Sequence, residues 1–142
     1  VTGPAALISA VAKAHQYITF TTPNALQIGM AEGIAQHMDF TLGLTQELEG
    51  KRDFLARELE GLGFKTLPCD GTYFLTVDIS GLRFKGPDTE FCKAMVARGG
   101  VAAIPLSVFY SGEAPQSLVR FAFCKKMPVL QDAVARLKKN WL

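Results

Sequence analysis

The 142 residues hold little of what usually announces a site. The three cysteines, Cys69, Cys92 and Cys124, lie far apart and form no C-x-x-C pair, so neither a zinc site nor a disulfide framework is expected. Reduced thiols and a cytoplasmic setting are the simplest reading. The two histidines, His15 and His37, have no neighbouring ligand pattern, so no metal site is expected and both read as surface or helix-end residues. No apolar run is long enough to cross a bilayer, and no basic-then-apolar segment opens the sequence. The formal net charge of +2, with the basic residues spread out, argues against nucleic acid or an anionic membrane as a partner. P-loop, G-x-G-x-x-G, H-E-x-x-H and G-x-S-x-G patterns are all missing, as are internal repeats and low-complexity segments.

What is present is a chain that is 49% hydrophobic, enough for a real core, and long enough for one compact domain or two partial ones. It opens on Val1, and "VTGP" reads as the end of a strand running into a helix, as in a piece of a longer sequence. Pro4 suits the start of a helix bearing Leu7, Ile8 and Val11. After "YITFTTPN", Asn24 is a plausible N-cap for a second helix to about Met38. Its small residues Ala25, Gly29, Ala31, Gly33 and Ala35 predict close packing and burial. A third helix carries the stripe Leu44, Leu48, Leu55, Leu59 and Leu62. Glu47 with Lys51 and Asp53 with Arg57 are expected as pairs on its wet side, and Gly63 as its stop.

Beyond Gly63 the periodicity changes. "FKTLP" reads as a strand, and so does "TYFLTVDIS", with Tyr73, Leu75, Val77 and Ile79 alternating with Phe74, Thr76 and Asp78. Pro87-Asp88 opens a helix with Phe91, Met95 and Val96 on one face, stopped by Gly99-Gly100. "VAAIP" and "LVRFAF" are two more strands. Pro128 starts a last helix with the stripe Leu130, Ala133, Val134, Leu137 and Trp141. Strand, strand, helix, strand, strand, helix is an α+β arrangement, a small sheet covered on one face by helices.

Within "SLVRFAFC", alternation puts Val119, Phe121 and Phe123 toward the core and Leu118, Arg120 and Ala122 on the opposite face. Arg120 there is either a solvated surface residue or the wall of a cleft awaiting an anion, since a guanidinium offers a carboxylate two parallel N–H bonds. Cys124 reads as a buried small side chain rather than a nucleophile, and Asp70 and Glu113 as solvated loop carboxylates. Tyr73, Phe74, Phe109 and Tyr110 read as core, although "IPLSVFYSG", an apolar segment ending at turn residues, has the character of a loop edging a binding site.

Four segments, "HQYITFTTPNALQ", "GTYFLTVDIS", "EFCKAMVARGGVAAIPLSVFYSG" and "LVRFAFCKK", occur in an order and spacing that resemble the C-terminal part of a fold-type I, PLP-dependent aminotransferase of class I/II. The branch they resemble is that of the kynurenine and methionine aminotransferases. The resemblance implies that residues 1–40 are the tail of a large PLP-binding domain, 41–63 a connecting helix and 64–142 the small domain. It implies transfer of an amino group between an apolar, sulfur-containing or aromatic amino acid and a 2-oxo acid, in a homodimer. It gives Arg120 the substrate carboxylate, sets Phe20 in the pocket of the neighbouring subunit, and adds Phe109 to the pocket wall. The Schiff-base lysine is expected upstream of Val1, so pyridoxal 5'-phosphate is not expected to bind covalently to this chain, which alone is expected to be inactive. Thr72 departs from the "GGYF" or "GSYF" of many relatives, and Thr21 stands where some carry histidine. The alternative is a self-standing α+β module that binds an amino acid. Residues 1–40 discriminate, because such a module needs neither small-residue helix nor exposed aromatic loop.

Overall fold

A computed structural model describes residues 2–140. The expected strand end at Val1 and the stripe position Trp141 lie outside the described residues. The chain divides into two compact units, one up to Gly43 and one from Leu44 onward.

The first unit holds α1 (Ala5–Ile18), α2 (Asn24–Gln36) and the start of α3 (Met38–Gly61). Both α1 and α2 begin directly after a proline. Pro4 and Pro23 have φ of −55° and −51°, and each carbonyl accepts the first helical N–H bond, from Ile8 and from Gln27. Asn24 is therefore the first helical residue rather than the N-cap, because the proline ring already fixes the entry geometry. The burial expected of α2 is not found. Neither α1 nor α2 has a buried residue, and Leu26, Ile28 and Met30 are exposed. Small side chains permit a close neighbour but do not supply one.

In the second unit, α3 turns Leu55 and Leu59 into the core, while Leu48 is half-buried and Leu44 exposed, so the leucine stripe is covered only over its C-terminal half. Lys51 pairs with Glu47 as expected, but its stem is buried rather than on the wet side. Asp53 does not reach Arg57; it pairs with Arg52 at 2.7 Å, since the adjacent guanidinium folds over it. Gly63, at φ +88°, closes the helix: the Phe64 N–H donates back to the Leu59 carbonyl at 3.1 Å, and Leu62 is buried beside it.

Four strands follow: β1 (Lys65–Thr66), β2 (Phe74–Asp78), β3 (Ile104–Pro105) and β4 (Leu118–Ala122), antiparallel in the order β1-β2-β4-β3. Helices α4 (Asp88–Gly99) and α5 (Met127–Asn140) join α3 in covering one face, the α+β arrangement expected. Leu75, Val77 and Ile79 from β2 and its end meet Val119, Phe121 and Phe123 from β4 and its end. Against them pack Phe91 and Met95 of α4 and Leu130, Val134 and Leu137 of α5. The Phe64 ring stands edge-on to Phe91 and Phe121 at 6.1 and 5.9 Å. Three expectations fail at the margins. Tyr73 is exposed, because the strand starts one residue later after a turn at Thr72. Val96 is exposed, one step round the helix from Met95. Cys124 is exposed past the end of β4, where alternation no longer holds it inward.

Candidate functional site

The face of the sheet away from the helices carries Phe74, Thr76 and Asp78 on β2 and Leu118, Arg120 and Ala122 on β4, all half-buried. Register brings three of them together. Arg120 lies directly opposite Thr76, and Phe74 lies opposite Ala122, hence on the diagonal from Arg120. Long and aromatic side chains reach each other across that diagonal. The Arg120 guanidinium accordingly sits over the Phe74 ring, 4.2 Å from its centroid.

A second ring comes from the connection between β3 and β4. A 3-10 turn, Ser107–Phe109, follows β3, and it sets the Phe109 ring 4.8 Å from the same guanidinium. Phe109 is 60% exposed, so the contact is on the surface side of the arginine, not in the core. The expectation that Tyr73, Phe74, Phe109 and Tyr110 are core is thus corrected: all except half-buried Phe74 are exposed, and two of the rings flank Arg120. One strand read alone cannot show this, because the stacking depends on which residue of β2 stands opposite which residue of β4.

The electrostatics favour an anion. Each ring face attracts the cation by roughly 0.5–2 kcal/mol but offers it no hydrogen-bond acceptor comparable to a carboxylate. Arg120 Nε is buried with no hydrogen-bond partner. Among the described residues no carboxylate pairs with Arg120. Leaving a buried donor unsatisfied costs about 1–3 kcal/mol, so the arrangement is costly unless something docks there. A cavity of about 340 Å³ touches Arg120, Lys125 and Arg136, but much of its lining, Leu55, Phe121, Leu130, Val134 and Leu137, is the core between the sheet and α5. Arg136 is already engaged, by Asp132 at 2.8 Å and the Gly100 carbonyl at 3.0 Å.

The Phe109 turn is held from behind by a residue that pattern reading passed over. Asp88, the first residue of α4, has no exposed surface. Its carboxylate accepts the Ser107 N–H at 2.8 Å and the Ser107 hydroxyl at 2.6 Å, and its own N–H donates to the Gln116 carbonyl at 2.8 Å. The positive end of α4 and these donors together compensate a buried carboxylate that has no cation beside it. The only early signal was Pro87-Asp88 read as a helix start; the partner, 19 residues on, is not a local pattern.

The other candidates stand apart. Phe20 belongs to the first unit, in the loop between α1 and α2, 87% exposed and held at φ +58°. A bulky residue in the left-handed region is uncommon and marks a constrained turn. Cys92 is buried, and its thiol is pushed up to about 11, first by burial and then by the charge of Asp88, so it stays protonated at neutral pH. Cys124 has an exposed thiol, and His15 and His37 lie in the other unit at the end of α1 and just past α2.

A group that carries an aldehyde on a phosphorylated ring would need an enclosed amine. Lys51 and Lys138 are tied to Glu47 and Glu58, and Lys125, which shares the cavity with Arg120, is exposed on the turn after β4. The remaining lysines, Lys13, Lys65, Lys85, Lys93, Lys126 and Lys139, are exposed, so among the described residues none offers an enclosed, unpaired amine.

Comparison with known proteins gives this geometry its context. The family model for "Aminotransferase class I and II" matches residues 1–137. The methionine aminotransferase of Escherichia coli is 38% identical over 96% of this chain, and a crystal structure identified with that function superposes with a TM-score of 0.82. The structure of N-succinyldiaminopimelate aminotransferase from Mycobacterium tuberculosis gives 0.83 at 37% identity, again over 96% of this chain. The kynurenine–oxoglutarate transaminase of Dictyostelium discoideum is 31% identical over 96% of this chain. The chain spans between 35% and 37% of the length of these proteins. The match takes in the two small-residue helices that a self-standing module would not need, as well as the strand bearing Arg120, and on that evidence the chain belongs to the class I and II aminotransferases.

Proposed function

We propose that this chain supplies the C-terminal part of a transaminase and that Arg120 binds the α-carboxylate of the amino acid and 2-oxo acid it interconverts. The observation that carries the reading is the guanidinium flanked by Phe74 and Phe109 with its buried Nε unpartnered. The rings limit where the planar head can go, and its remaining N–H groups form a fork suited to two carboxylate oxygens. Pyridoxal 5'-phosphate, when bound by the complete protein, supplies the electron sink for labilising the substrate Cα–H bond. This chain's own share is to bind the carboxylate, orient the Cα substituents and, through Phe109, shield the grip from water.

Residues 1–40 belong, on this reading, to the end of the large domain, and a second copy of the chain presents Phe20 to the pocket. The exposure and constrained backbone of Phe20 support that role. The exposed aromatics favour an apolar, sulfur-containing or aromatic side chain; relatives named for methionine and kynurenine transamination support the same class.

The test is Arg120→Leu and Arg120→Lys in the complete enzyme. Losing a bidentate charged pair costs about 3–5 kcal/mol, a fall of a hundredfold to several thousandfold in kcat/KM for amino acids. Lysine keeps the charge but not the fork, so its loss is smaller. Any turnover of amines without a carboxylate is spared. Normal folding with amino-acid turnover within a few-fold of wild type makes Arg120 a surface residue and ends this reading.

A further inference from the structure

Arg120 does not hold its position alone. Phe109 restrains it from the outside, Phe109 is carried by the turn that Ser107 opens, and both donors of Ser107 end on Asp88. The N–H of Asp88 reaches the Gln116 carbonyl as well, so the start of α4 grips both limbs of the connection that leads to β4. The connection is otherwise loosely covered: Val108, Phe109 and Tyr110 are all exposed. A turn with so little packing of its own keeps its shape through its few buried polar ties. Besides the Leu106 N–H donating to the Leu118 carbonyl at 3.0 Å and the turn's own backbone bonds, Asp88 is the side-chain tie, and because it has no exposed surface its desolvation is offset by the hydrogen bonds it accepts from Ser107.

We infer that Asp88, acting through Ser107, is a positioning residue for carboxylate recognition: it fixes the 107–109 turn so that Phe109 pre-orients the Arg120 guanidinium. The inference rests on the carboxylate-binding reading of Arg120. Asp88 touches neither substrate nor cofactor; its effect travels through three contacts, Asp88 to Ser107, Ser107 along the turn to Phe109, and Phe109 to Arg120. Pre-orientation lowers the ordering cost of binding, so its loss weakens the grip without abolishing it.

Ser107→Ala in the complete enzyme removes the 2.6 Å hydroxyl bond and keeps the backbone one; Ser107→Thr keeps both donors; Asp88→Asn removes the charge and leaves an amide oxygen for one donor and an NH2 facing the other. The expected result is a rise in KM for amino acids of roughly five- to twentyfold in Ser107→Ala, less than the full worth of one hydrogen bond to a charged group because the effect reaches the substrate only through the turn and the backbone bond to Asp88 remains. The expected change in kcat is smaller, and Ser107→Thr restores KM. A second readout does not depend on turnover. The Arg120 Nε–H proton resonance, shifted by the ring currents of Phe74 and Phe109, moves toward its ordinary position in Ser107→Ala and returns in Ser107→Thr. Combined with Phe109→Leu, Ser107→Ala adds little further loss, because both act through the same ring. If Ser107→Ala folds with unchanged KM and an unmoved Arg120 resonance, the positioning role is overturned and Asp88 is only a structural tie. Should Asp88→Asn fail to fold, Ser107→Ala alone decides. Arg120→Leu separates the two claims: if it spares amino-acid turnover, carboxylate binding by Arg120 fails; if it cripples turnover while the Ser107 variants are silent, only the positioning role fails.

Discussion

The first unit and the second are built from equally apolar sequence and end in opposite states. In α1 and α2 not one residue is buried, and Leu7, Leu26, Ile28 and Met30 all face outward. In the second unit Leu59, Val77, Phe91, Met95 and Val119 have no exposed surface at all. The difference lies in what each pattern asks for. The strands and helices after Gly63 present apolar faces of matching size, with Phe64, Phe91 and Phe121 interlocked edge to face. The helices of the first unit present small residues and scattered large ones, with no buried face among them. Amphipathic patterning says that a face is to be covered; only the second unit contains its own cover.

The sharpest way to break that contrast is hydrogen exchange on the isolated chain. Amides of α1 and α2 are expected to exchange orders of magnitude faster than those of β2, β4 and α5, because their opening exposes no core. Uniform protection would erase the distinction, and with it the assignment of the first unit to a larger domain. Titrating pyridoxal 5'-phosphate into the same sample is expected to give no saturable, stoichiometric absorbance band; a band traced to one lysine would show that the chain holds the cofactor by itself.

Truncation sharpens the comparison further. Leu59→Ala in α3 should cost about 2–5 kcal/mol, by lost burial plus the cavity left behind. Leu26→Ala, at a 65% exposed position, should stay within about 0.5 kcal/mol in the isolated chain. Chemical denaturation followed by the circular dichroism of each variant distinguishes them. A smaller gain is expected at Thr72, a β-branched residue held at φ +66°. Glycine removes the Cβ clash that disfavours this region, and Thr72→Gly should stabilise by about 1 kcal/mol, less whatever is lost with the bond from the Phe74 N–H to the Thr72 hydroxyl. The smallest effect concerns acid. Asp78 is held below its ordinary carboxylate range, chiefly by the Ser80 N–H at 2.8 Å and against a burial penalty. A lowered native value means that the contribution is present above the ordinary carboxylate range and is lost as pH falls through the native value. Asp78→Asn should therefore lower the neutral plateau by that small contribution and flatten the acid limb, leaving stability at pH below the native value nearly unchanged.

Much of the second unit could be read in advance because its signals are local. The alternation Val119, Phe121, Phe123 against Leu118, Arg120, Ala122 is a property of a single strand, and Gly63 and Gly100 mark helix ends through their own backbone angles. The errors share a different origin. Asp53 took Arg52 instead of Arg57 because spacing on a helix lists possible partners without ranking them. Phe74 and Phe109 were misjudged because their neighbour arrives from another strand and another turn. Asp88 was missed for the same reason, since nothing within several residues of it names Ser107. In each case the deciding distance runs across the chain, where register and loop shape, not composition, choose the partner.

The strand that carries Arg120 also has a consequence for how the protein is made. β4 sits between β2 and β3, and among the described residues it is the last strand, followed by α5, which adds Leu130, Val134 and Leu137 to the core. While β1 and β2 are leaving the ribosome they can form only a two-stranded hairpin, which is marginal in water. The central slot of the sheet stays empty until β4 emerges, and Leu130, Val134 and Leu137 arrive later still. A nascent chain stalled before Leu118 would therefore expose Val77 and Phe91 to any chaperone or protease at the tunnel exit. The residue proposed to grip the substrate thus lies on the strand whose arrival lets the sheet close.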